Sequence, residues 1–336
     1  MNRTLILLIA VAVLGGGAYF LTTQQQEGPV TSVVGADRDF AVDRDLVHKI
    51  FIADRRDNRT LLERNSDGET WTFDGKYVAR PDAVEILLET IDKIRMRFKP
   101  TEAAVPHMRA TLATQGLKVE LYGKDDELLK VYYIGGATND ERGTYIILEG
   151  EEQPYVAEVP NWEGNLRFRY NLRGDDWRDR TVLKAKADEI AAVSIEYPKQ
   201  QNSSFRLDLQ GETKVGPYYP LTPKVQGPVS AGRVDAFIHN CEALTAASFL
   251  NFRQDYDQII AQVPFAVISI EKKDGSIQSL RLWPEHPEAE LDPKTGINTA
   301  ATEVYKYYAL TEGGDLMEMY NEMIKKVLWS YEFFYQ

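Results

Sequence analysis

Two stretches of the chain repeat apolar residues at helical spacing. Residues 81–98 (PDAVEILLETIDKIRMRF) and 231–248 (AGRVDAFIHNCEALTAAS) each place five apolar side chains on one face of a helix. The sequence therefore predicts two equivalent amphipathic helices. The matched positions are all separated by 150 residues, and they pair Val84 with Val234, Leu87 with Phe237, Leu88 with Ile238, Ile91 with Cys241, and Ile94 with Leu244.

Runs of alternating apolar and polar residues flank both helices, and the positions in the first half match positions in the second half at nearly constant separations. Upstream, Ile50 and Ile52 match Val193 and Ile195 at a separation of 143, and downstream Val119 matches Ile268 at 149. The separation changes only in Pro-rich loops, which is where a duplicated fold tolerates insertions best. The predicted organisation is a cytoplasmic tip, transmembrane anchor and polar exit (1–27), a linker (28–39), a first α+β repeat (40–172), an inter-repeat linker (173–187) and a second α+β repeat (188–336).

Turn signals between the alternating runs predict hairpins. They are the segment 65–68 (NSDG), the pairs Asp74-Gly75 and Asp125-Asp126, and Asp274-Gly275 in the second half. Most consecutive strands have no helix between them, which excludes a parallel doubly wound fold. We expect an α+β fold, internally duplicated, with two halves that are each a mainly antiparallel sheet packed by one principal helix, and with an N-terminal transmembrane helix.

Residues 4–21 contain no charged side chain and follow Arg3. A run of this length is long enough to cross a bilayer core as a helix. It ends in the bulky residues Tyr19, Phe20 and Leu21 rather than the small residues of a cleavage site, so an uncleaved signal anchor is favoured over a cleaved signal peptide. The positive-inside tendency then places the N-terminus in the cytoplasm and residues 28–336 outside.

Charge and cysteine content exclude several classes of protein. There are 39 Lys+Arg against 51 Asp+Glu, a formal net charge of −12, and this balance argues against a nucleic-acid partner. The composition, 43% hydrophobic and 27% charged, is that of a globular protein. A single cysteine, Cys241, rules out an internal disulfide and a structural zinc site of the usual type.

The candidate chemical groups favour structural roles. No two of the four histidines (His48, His107, His239 and His286) have a metal-ligand spacing. His239 and Cys241 are two residues apart and cannot face each other on a helix, so Cys241 is predicted to be a buried structural thiol. Gly135-Gly136 with Gly143 is predicted to be a turn rather than a phosphate loop, and Ser230 is predicted to be a helix N-cap. We assign no catalytic, cofactor-binding or metal-binding residue.

Three further groups leave alternatives open. Trp177, within the charged segment 177–180, is expected to fasten the two repeats together, although a ligand platform is the other interpretation. Asp140/Glu141 with Asp255/Asp257 would be the acids of an alternative function, an envelope hydrolase or transferase. Five tyrosines are ordinary sheet residues or the lining of a groove: Tyr218, Tyr219, Tyr305, Tyr307 and Tyr308.

The framework residues resemble a known family. The segments are 39–42 (DFAV), 50–54 (IFIAD), 75–77 (GKY), 79–82 (ARPD), 143–145 (GTY) and 176–180 (DWRDR). They are similar to the domain-of-unknown-function 4340 family (DUF4340) of bacterial envelope proteins. The resemblance implies a single-pass inner-membrane protein with a periplasmic ectodomain and a non-enzymatic accessory or scaffolding role. It also implies association with an ABC-type, gliding-motility-like transport complex, namely an ABC-2 permease and its auxiliary subunit, and supplies no site residues.

Overall fold

The structure is a computed structural model that describes residues 40–285, 290–291, 298–299 and 304–335. The chain divides into two compact units, Met1–Arg173 and Gly174–Gln336. Within the described residues, no helix is long and apolar enough to cross a membrane. The predicted anchor at residues 4–21 lies outside the described residues.

The first unit is built on a nine-stranded sheet in the order β4-β3-β2-β1-β6-β7-β8-β9-β5, and every strand pair in it is antiparallel. The predicted α+β class with mainly antiparallel sheets is confirmed. The strands are β1 (Lys49–Ala53), β2 (Arg59–Arg64), β3 (Trp71–Phe73), β4 (Tyr77–Val78), β5 (Arg95–Phe98), β6 (Leu117–Tyr122), β7 (Leu128–Ala137), β8 (Thr144–Leu148) and β9 (Tyr155–Glu158). The helices are α1 (Pro81–Lys93), α2 (Val105–Gln115) and α3 (Arg167–Tyr170).

The predicted hairpin turns are present. Asp74 and Gly75 join β3 to β4 with φ of 49° and 65°, and Asp125 and Asp126 join β6 to β7 with φ of 58° and 62°. Each left-handed pair lies at the centre of a hydrogen-bonded turn, closed by the amide of Lys76 on the carbonyl oxygen of Phe73 (3.1 Å) and by the amide of Glu127 on that of Lys124 (3.3 Å). Asp tolerates this conformation better than most residues.

Helix α1 covers one face of the sheet, where Ile50, Ile52 and Val119 are buried. The prediction of a helix through residue 98 is wrong, because α1 ends at Lys93 and residues 95–98 form β5, which pairs with β9. The segment RMRF alternates charged and apolar residues, and this period of two fits an edge strand with one buried face. Ile94 is buried as predicted but has extended backbone angles.

Helix α2 lies on the opposite face of the sheet, over β7 and β8. Tyr132 and Ile134 point to the α1 face, so Gly135 points away from it, and a Cβ on Gly135 would lie 2.9 Å from Cδ2 of Leu112 in α2. The prediction of a turn at Gly135-Gly136 is therefore wrong. Both glycines lie inside β7 at a register shift, and the turn comes later, at residues 138–143.

The second unit has an eight-stranded antiparallel sheet in the order β13-β12-β11-β16-β17-β20-β21-β15. It repeats the strand succession of the first unit except for β4, which has no counterpart. Val193, Ile195, Val234 and Phe237 share one core, which places the principal helix on the equivalent face. The helices are α4 (Ala231–Cys241), α5 (Tyr256–Ile260) and α6 (Asn321–Ile324). The strands are β10 (Thr181–Lys184), β11 (Ile190–Glu196), β12 (Phe205–Asp208), β13 (Lys214–Pro217), β14 (Ala243–Thr245), β15 (Ser248–Phe249), β16 (Ala266–Lys272), β17 (Ile277–Pro284), β18 (Glu290–Leu291), β19 (Asn298–Thr299), β20 (Lys306–Thr311) and β21 (Leu316–Tyr320).

Two regions of the second unit differ from the sequence prediction. Helix α4 ends at Cys241, and Leu244, the last member of the predicted helical stripe, lies in β14. The segment 173–187, predicted as a linker, contains a 3₁₀ turn at Gly174–Trp177 and the strand β10, which pairs with β14. Residues 174–187 are thus part of the folded second unit, and Arg173 is the last residue of the first.

Candidate functional site

A cavity of about 580 Å³ opens in the first unit beside the N-terminal half of α1. We call it the Trp71 pocket. Three pieces of chain form its walls: the turn that precedes β1, the β2–β3 hairpin, and α1 with the residues just before it. The lining residues are Arg44, Asp45, Arg64, Gly68, Glu69, Thr70, Trp71, Val78, Ala79, Pro81, Asp82, Val84, Glu85 and Leu88.

The floor of the Trp71 pocket is apolar. Trp71, Ala79, Val84 and Leu88 are each less than 5% exposed. The local sequence explains their positions, because Pro81 starts α1 and places Val84 and Leu88 one turn apart on its buried face. Val78, in the edge strand β4, is 55% exposed at the mouth. The pocket therefore offers apolar surface to an incoming group.

Arg64 forms one wall, and each of its three guanidinium nitrogens donates a hydrogen bond within the protein. Its guanidinium donates to the backbone carbonyl oxygens of Val47 (3.1 Å), Gly68 (3.2 Å) and Arg44 (2.8 Å). It also stacks over the ring of Trp71, 5.1 Å from the centroid. Arg64 thereby holds the turn before β1 and the β2–β3 hairpin against the tryptophan.

Arg44 and Glu85 form the opposite wall as a two-point ion pair. Nη1 and Nη2 of Arg44 donate to the two carboxylate oxygens of Glu85 at 2.7 and 2.5 Å. The hydrogen bond from Arg44 lowers the pKa of Glu85, and the same bond raises the pKa of Arg44. Both side chains stay charged at neutral pH and tie α1 to the turn before β1.

The rim of the Trp71 pocket is acidic. Its lining contains two arginines and four carboxylates, those of Asp45, Glu69, Asp82 and Glu85. None of the described lining residues is a serine, cysteine, histidine or lysine, so the cavity has no nucleophile of those types and no imidazole base. The arrangement suits binding of an apolar group that carries a positive charge nearby.

The histidines do not converge on a metal-type site in the described part of the chain. No group of three or more His, Cys, Asp or Glu side chains that could hold a metal ion occurs there. His239 is 81% exposed and pairs with Glu242 through Nδ1 at 2.9 Å. His286 lies outside the described residues.

Cys241 and Ser230 occupy the structural positions that the sequence predicts. Cys241 is fully buried in α4, and burial raises the pKa of its thiol to about 12. Ser230 is the N-cap of α4, although its hydroxyl makes no capping hydrogen bond. Its carbonyl oxygen instead accepts from the amides of Arg233 and Val234.

The acids of the alternative enzymatic hypothesis lie in different units. Asp140 accepts a hydrogen bond from the Thr138 hydroxyl, which lowers the pKa of its carboxyl. Asp255 accepts from Arg253 at 2.7 and 2.8 Å, and that bond lowers its pKa as well. A general acid at neutral pH needs a raised pKa, and these two carboxylates have the opposite shift.

The charged residues around Trp177 pair within the second unit. Trp177 is fully buried. Arg178 donates to Asp315 (2.6 Å) and Asp175 (3.0 Å) and lies over the ring of Phe249. Arg180 donates to Asp176 at 3.0 Å. All of these contacts lie within the second unit, and the fastening of the two repeats by Trp177 stays a prediction.

The five tyrosines for which a groove is the alternative do not all share one surface, although Tyr305 and Tyr307 line one cavity of the second unit. Tyr307 is buried in the core of the second unit, and Tyr308 packs on a smaller cluster with Trp283. Tyr218 and Tyr305 are exposed, and the Tyr219 hydroxyl donates to Glu196. Tyr307 and Tyr308 thus have the sheet-packing role that the sequence left open.

Sequence reasoning missed the Trp71 pocket. The segment 79–82 (ARPD), which carries part of the family resemblance, borders it, and Trp71 is an aromatic residue in a strand of only three residues. A tryptophan in a short strand, followed within ten residues by a proline that starts a helix, is the signal that could have located the site.

Comparison with known proteins gives one family and one distant relative. The chain is 26% identical over 221 residues to an arginine–tRNA ligase of Ruegeria pomeroyi, an alignment that covers 60% of this chain and 36% of the ligase. The chain thus spans about a third of the length of that relative. No solved structure matches the chain. The model of the family described as "Domain of unknown function (DUF4340)" matches residues 71–259, more than half of the chain. The chain therefore belongs to the DUF4340 family.

Proposed function

We propose that the chain is a non-enzymatic accessory module that is anchored in the inner membrane through residues 4–21 and docks a partner protein in the periplasm through the Trp71 pocket. The support for the anchor is the uncharged run after Arg3. The support for docking is the composition of the pocket, whose floor is apolar and whose two arginines are bonded within the protein.

The state of the two arginines carries the proposal. Arg64 donates to three backbone carbonyl oxygens, and Arg44 is paired at two points with Glu85. Three of the five guanidinium N–H groups of Arg64 and two of the five of Arg44 thus donate to partners inside the protein, and these groups do not stabilise a developing negative charge on a substrate, which is what a catalytic arginine does. Both instead fix the walls around a preformed apolar floor, which lowers the ordering cost of binding.

We also infer that the two units arose by duplication. The principal helix, the shorter second helix and the strand succession recur in the same chain order, and the separations of matched residues are constant within elements. Superposition of each unit on the other tests this. If α1 and α4 fall on different faces of the superposed sheets, the duplication hypothesis fails.

The partner that the family resemblance favours is an ABC-2 permease or its gliding-motility-type auxiliary subunit. Nucleic acid is disfavoured by the net charge of −12. We do not extend the arginine–tRNA ligase activity to this chain, because the alignment covers 36% of that enzyme and the charge opposes tRNA binding.

Site-specific photo-crosslinking in intact membranes tests the docking proposal. A photoreactive amino acid replaces Val78 at the mouth of the pocket, and the matched control replaces Ile277, which is 53% exposed in the second unit. We expect a crosslink to one membrane protein from position 78 and none of that mass from position 277. An equal yield from both positions, or no crosslink from position 78, would contradict docking at the pocket.

Two measurements separate the remaining alternatives. Mass spectrometry of the mature protein reports the anchor, and a new N-terminus between Ala18 and Gly28 would show a cleaved signal peptide instead. Turnover of an envelope substrate by the purified chain, with loss in Asp140→Asn or Glu141→Gln, would replace the docking proposal with the hydrolase or transferase alternative.

A further inference from the structure

Cationic residues gather at the C-terminal end of α1. The segment 93–99 (KIRMRFK) has four cations and no carboxylate, in a chain whose net charge is −12. Most of this segment is β5, which forms one outer edge of the nine-stranded sheet. Arg95 and Lys99 are exposed there, as is Lys93 in the last turn of α1.

Two glutamates form ion pairs with four of the cations in this region. Glu158 lies 2.9 Å from Arg95 and 3.7 Å from Arg97. Glu89 lies 3.0 Å from Lys93 and 3.8 Å from Arg169 of α3. Asp92 in the last turn of α1 and Asp140, which lies close enough to Arg97 for that cation to lower its pKa, add two more carboxylates. Together with Lys99, the five cations of this region exceed its four carboxylates by one charge.

Two exposed phenylalanines accompany the cations. Phe98, at the end of β5, is 46% exposed, and Phe168, in α3, is 71% exposed. Cations at a helix C-terminus are explained by the helix dipole alone. The dipole does not explain large apolar rings in water next to them, and this combination is typical of surfaces that lie at the headgroup level of a bilayer.

The described chain enters the first unit at the same place. The amide of Val42 donates to the carbonyl oxygen of Ile91 at 3.1 Å, in the last turn of α1. One residue earlier in that turn, the Thr90 hydroxyl accepts from Nη1 of Arg169 at 2.9 Å. The entry point, α3 and the start of β5 therefore meet at one end of α1.

The length of chain before the entry point limits its distance from the proposed anchor. Residues 28–39 separate the polar exit of that anchor from Phe40. Even when fully extended, this segment reaches at most about 43 Å. An anchored chain therefore keeps the C-terminal end of α1 within about 43 Å of the end of the anchor.

We propose that a surface of the first unit, the basic edge, rests on the bilayer and binds the phosphates of anionic lipid headgroups. This inference rests on the proposed anchor. Helix α1 has 13 residues and is about 20 Å long, and the Trp71 pocket is lined by its N-terminal half, at the other end of the helix from this surface. The basic edge consists of Lys93, Arg95, Arg97, Phe98, Lys99, Phe168 and Arg169.

The test uses the full chain reconstituted into vesicles of phosphatidylcholine with or without phosphatidylglycerol. A nitroxide is attached at Phe168→Cys, and a matched label at Leu128→Cys, a 55% exposed position in the same unit, is the control. We expect the label at 168 to lose access to a water-soluble nickel chelate several-fold when phosphatidylglycerol is present, and the label at 128 to keep its access. Lys99→Glu should weaken this protection, whereas Lys124→Glu should not.

Flotation of the vesicles distinguishes failure of this inference from failure of the anchor. If the chain does not float with the vesicles, both the anchor and the lipid contact of the basic edge are contradicted. If it floats but the label at 168 stays accessible in both lipids, the inference falls and the anchor stands. Protection that is equal in both lipids, or that depends on the density of chains per vesicle, would show a contact with protein or neutral lipid and would overturn the assignment to anionic headgroups.

Discussion

Arg44 and Glu85 lie 41 residues apart in sequence and join the turn before β1 to α1 through two hydrogen bonds of 2.7 and 2.5 Å. The pair forms one wall of the Trp71 pocket. Its side chains are 35% and 60% exposed, so its contribution to stability is that of a surface pair with good geometry.

Glu85→Gln should lower the free energy of unfolding at pH 7 by about 0.5–1 kcal/mol. The folded-state pKa of Glu85 is lowered, so the stabilisation is present above the unfolded pKa of about 4.3 and is lost as pH falls through the folded pKa. Urea unfolding of both proteins between pH 7 and pH 3 measures the difference, which should disappear at the acid end.

Glu69→Gln is the matched control for that experiment. Glu69 lies on the same rim and is exposed, and it has no ion pair among the described residues. Its substitution should change the unfolding free energy by less than about 0.5 kcal/mol at any pH. A difference between Glu85→Gln and the wild type that persists at pH 3 would assign the effect to packing instead of charge.

Phe334→Ala should be among the most destabilising substitutions in the second unit. The ring is fully buried, with centroids 4.8 Å from Phe205, 5.3 Å from Phe237 and 5.5 Å from Trp329. Removal of a buried phenyl ring costs about 3–5 kcal/mol. Thermal or urea unfolding checks this, with Phe252→Ala at a 79% exposed position as the control. Similar losses in both variants would show that the C-terminal segment is not part of the core.

Two adjacent glycines in β7 should differ in their tolerance of alanine. A Cβ on Gly135 would lie 2.9 Å from Leu112 Cδ2 and 3.3 Å from Tyr145 Cβ, whereas a Cβ on Gly136 would have no atom within 4 Å. Gly135→Ala should therefore lower the unfolding free energy by about 1–3 kcal/mol through overpacking. Gly136→Ala should change it by no more than about 0.5 kcal/mol.

A double-mutant cycle sharpens the glycine test. Leu112→Ala removes the side chain that Gly135 accommodates, so the cost of Gly135→Ala should be smaller in that background. Equal costs with and without the leucine would mean that α2 does not pack on β7 through this contact.

The parts of the fold that the sequence predicts are those set by local periodicity and turn chemistry. Asp74-Gly75 and Asp125-Asp126 are turns in the structure because their residue types tolerate positive φ. The helical stripe from Val84 to Ile91 is buried as a unit. The helix end was misplaced because Ile94 continues the apolar spacing into a strand, and spacing alone does not distinguish a buried helical position from a buried strand position.

The candidate pocket depends on contacts that no local pattern contains. Arg64 reaches Val47 and Arg44 across 17 and 20 residues, and Arg44 reaches Glu85 across 41. Which of these residues, far apart in sequence, come into contact is determined by the order of the strands in the sheet. A single sequence reveals the residues but not which of them are in contact. For the same reason, the sequence predicts a turn at Gly135, whereas in the structure the absence of a Cβ there leaves room for the side chain of Leu112.

Cys241 should resist thiol reagents until the protein unfolds. The side chain is fully buried, and its raised pKa of about 12 leaves almost no thiolate at pH 9, whereas an unfolded cysteine, with a pKa near 8.5, is largely ionised there. Because the folded state holds the proton more tightly, this group contributes its full stabilisation below pH 8.5 and loses it as pH rises toward the folded pKa.

Labelling at pH 9 with and without denaturant, followed by intact mass measurement, checks the prediction. Ile277→Cys, at an exposed position, supplies a thiol that should react at once in the folded protein. Labelling of the folded wild type at the rate of that control would contradict the burial of Cys241 and, with it, the position of α4 on the core of the second unit.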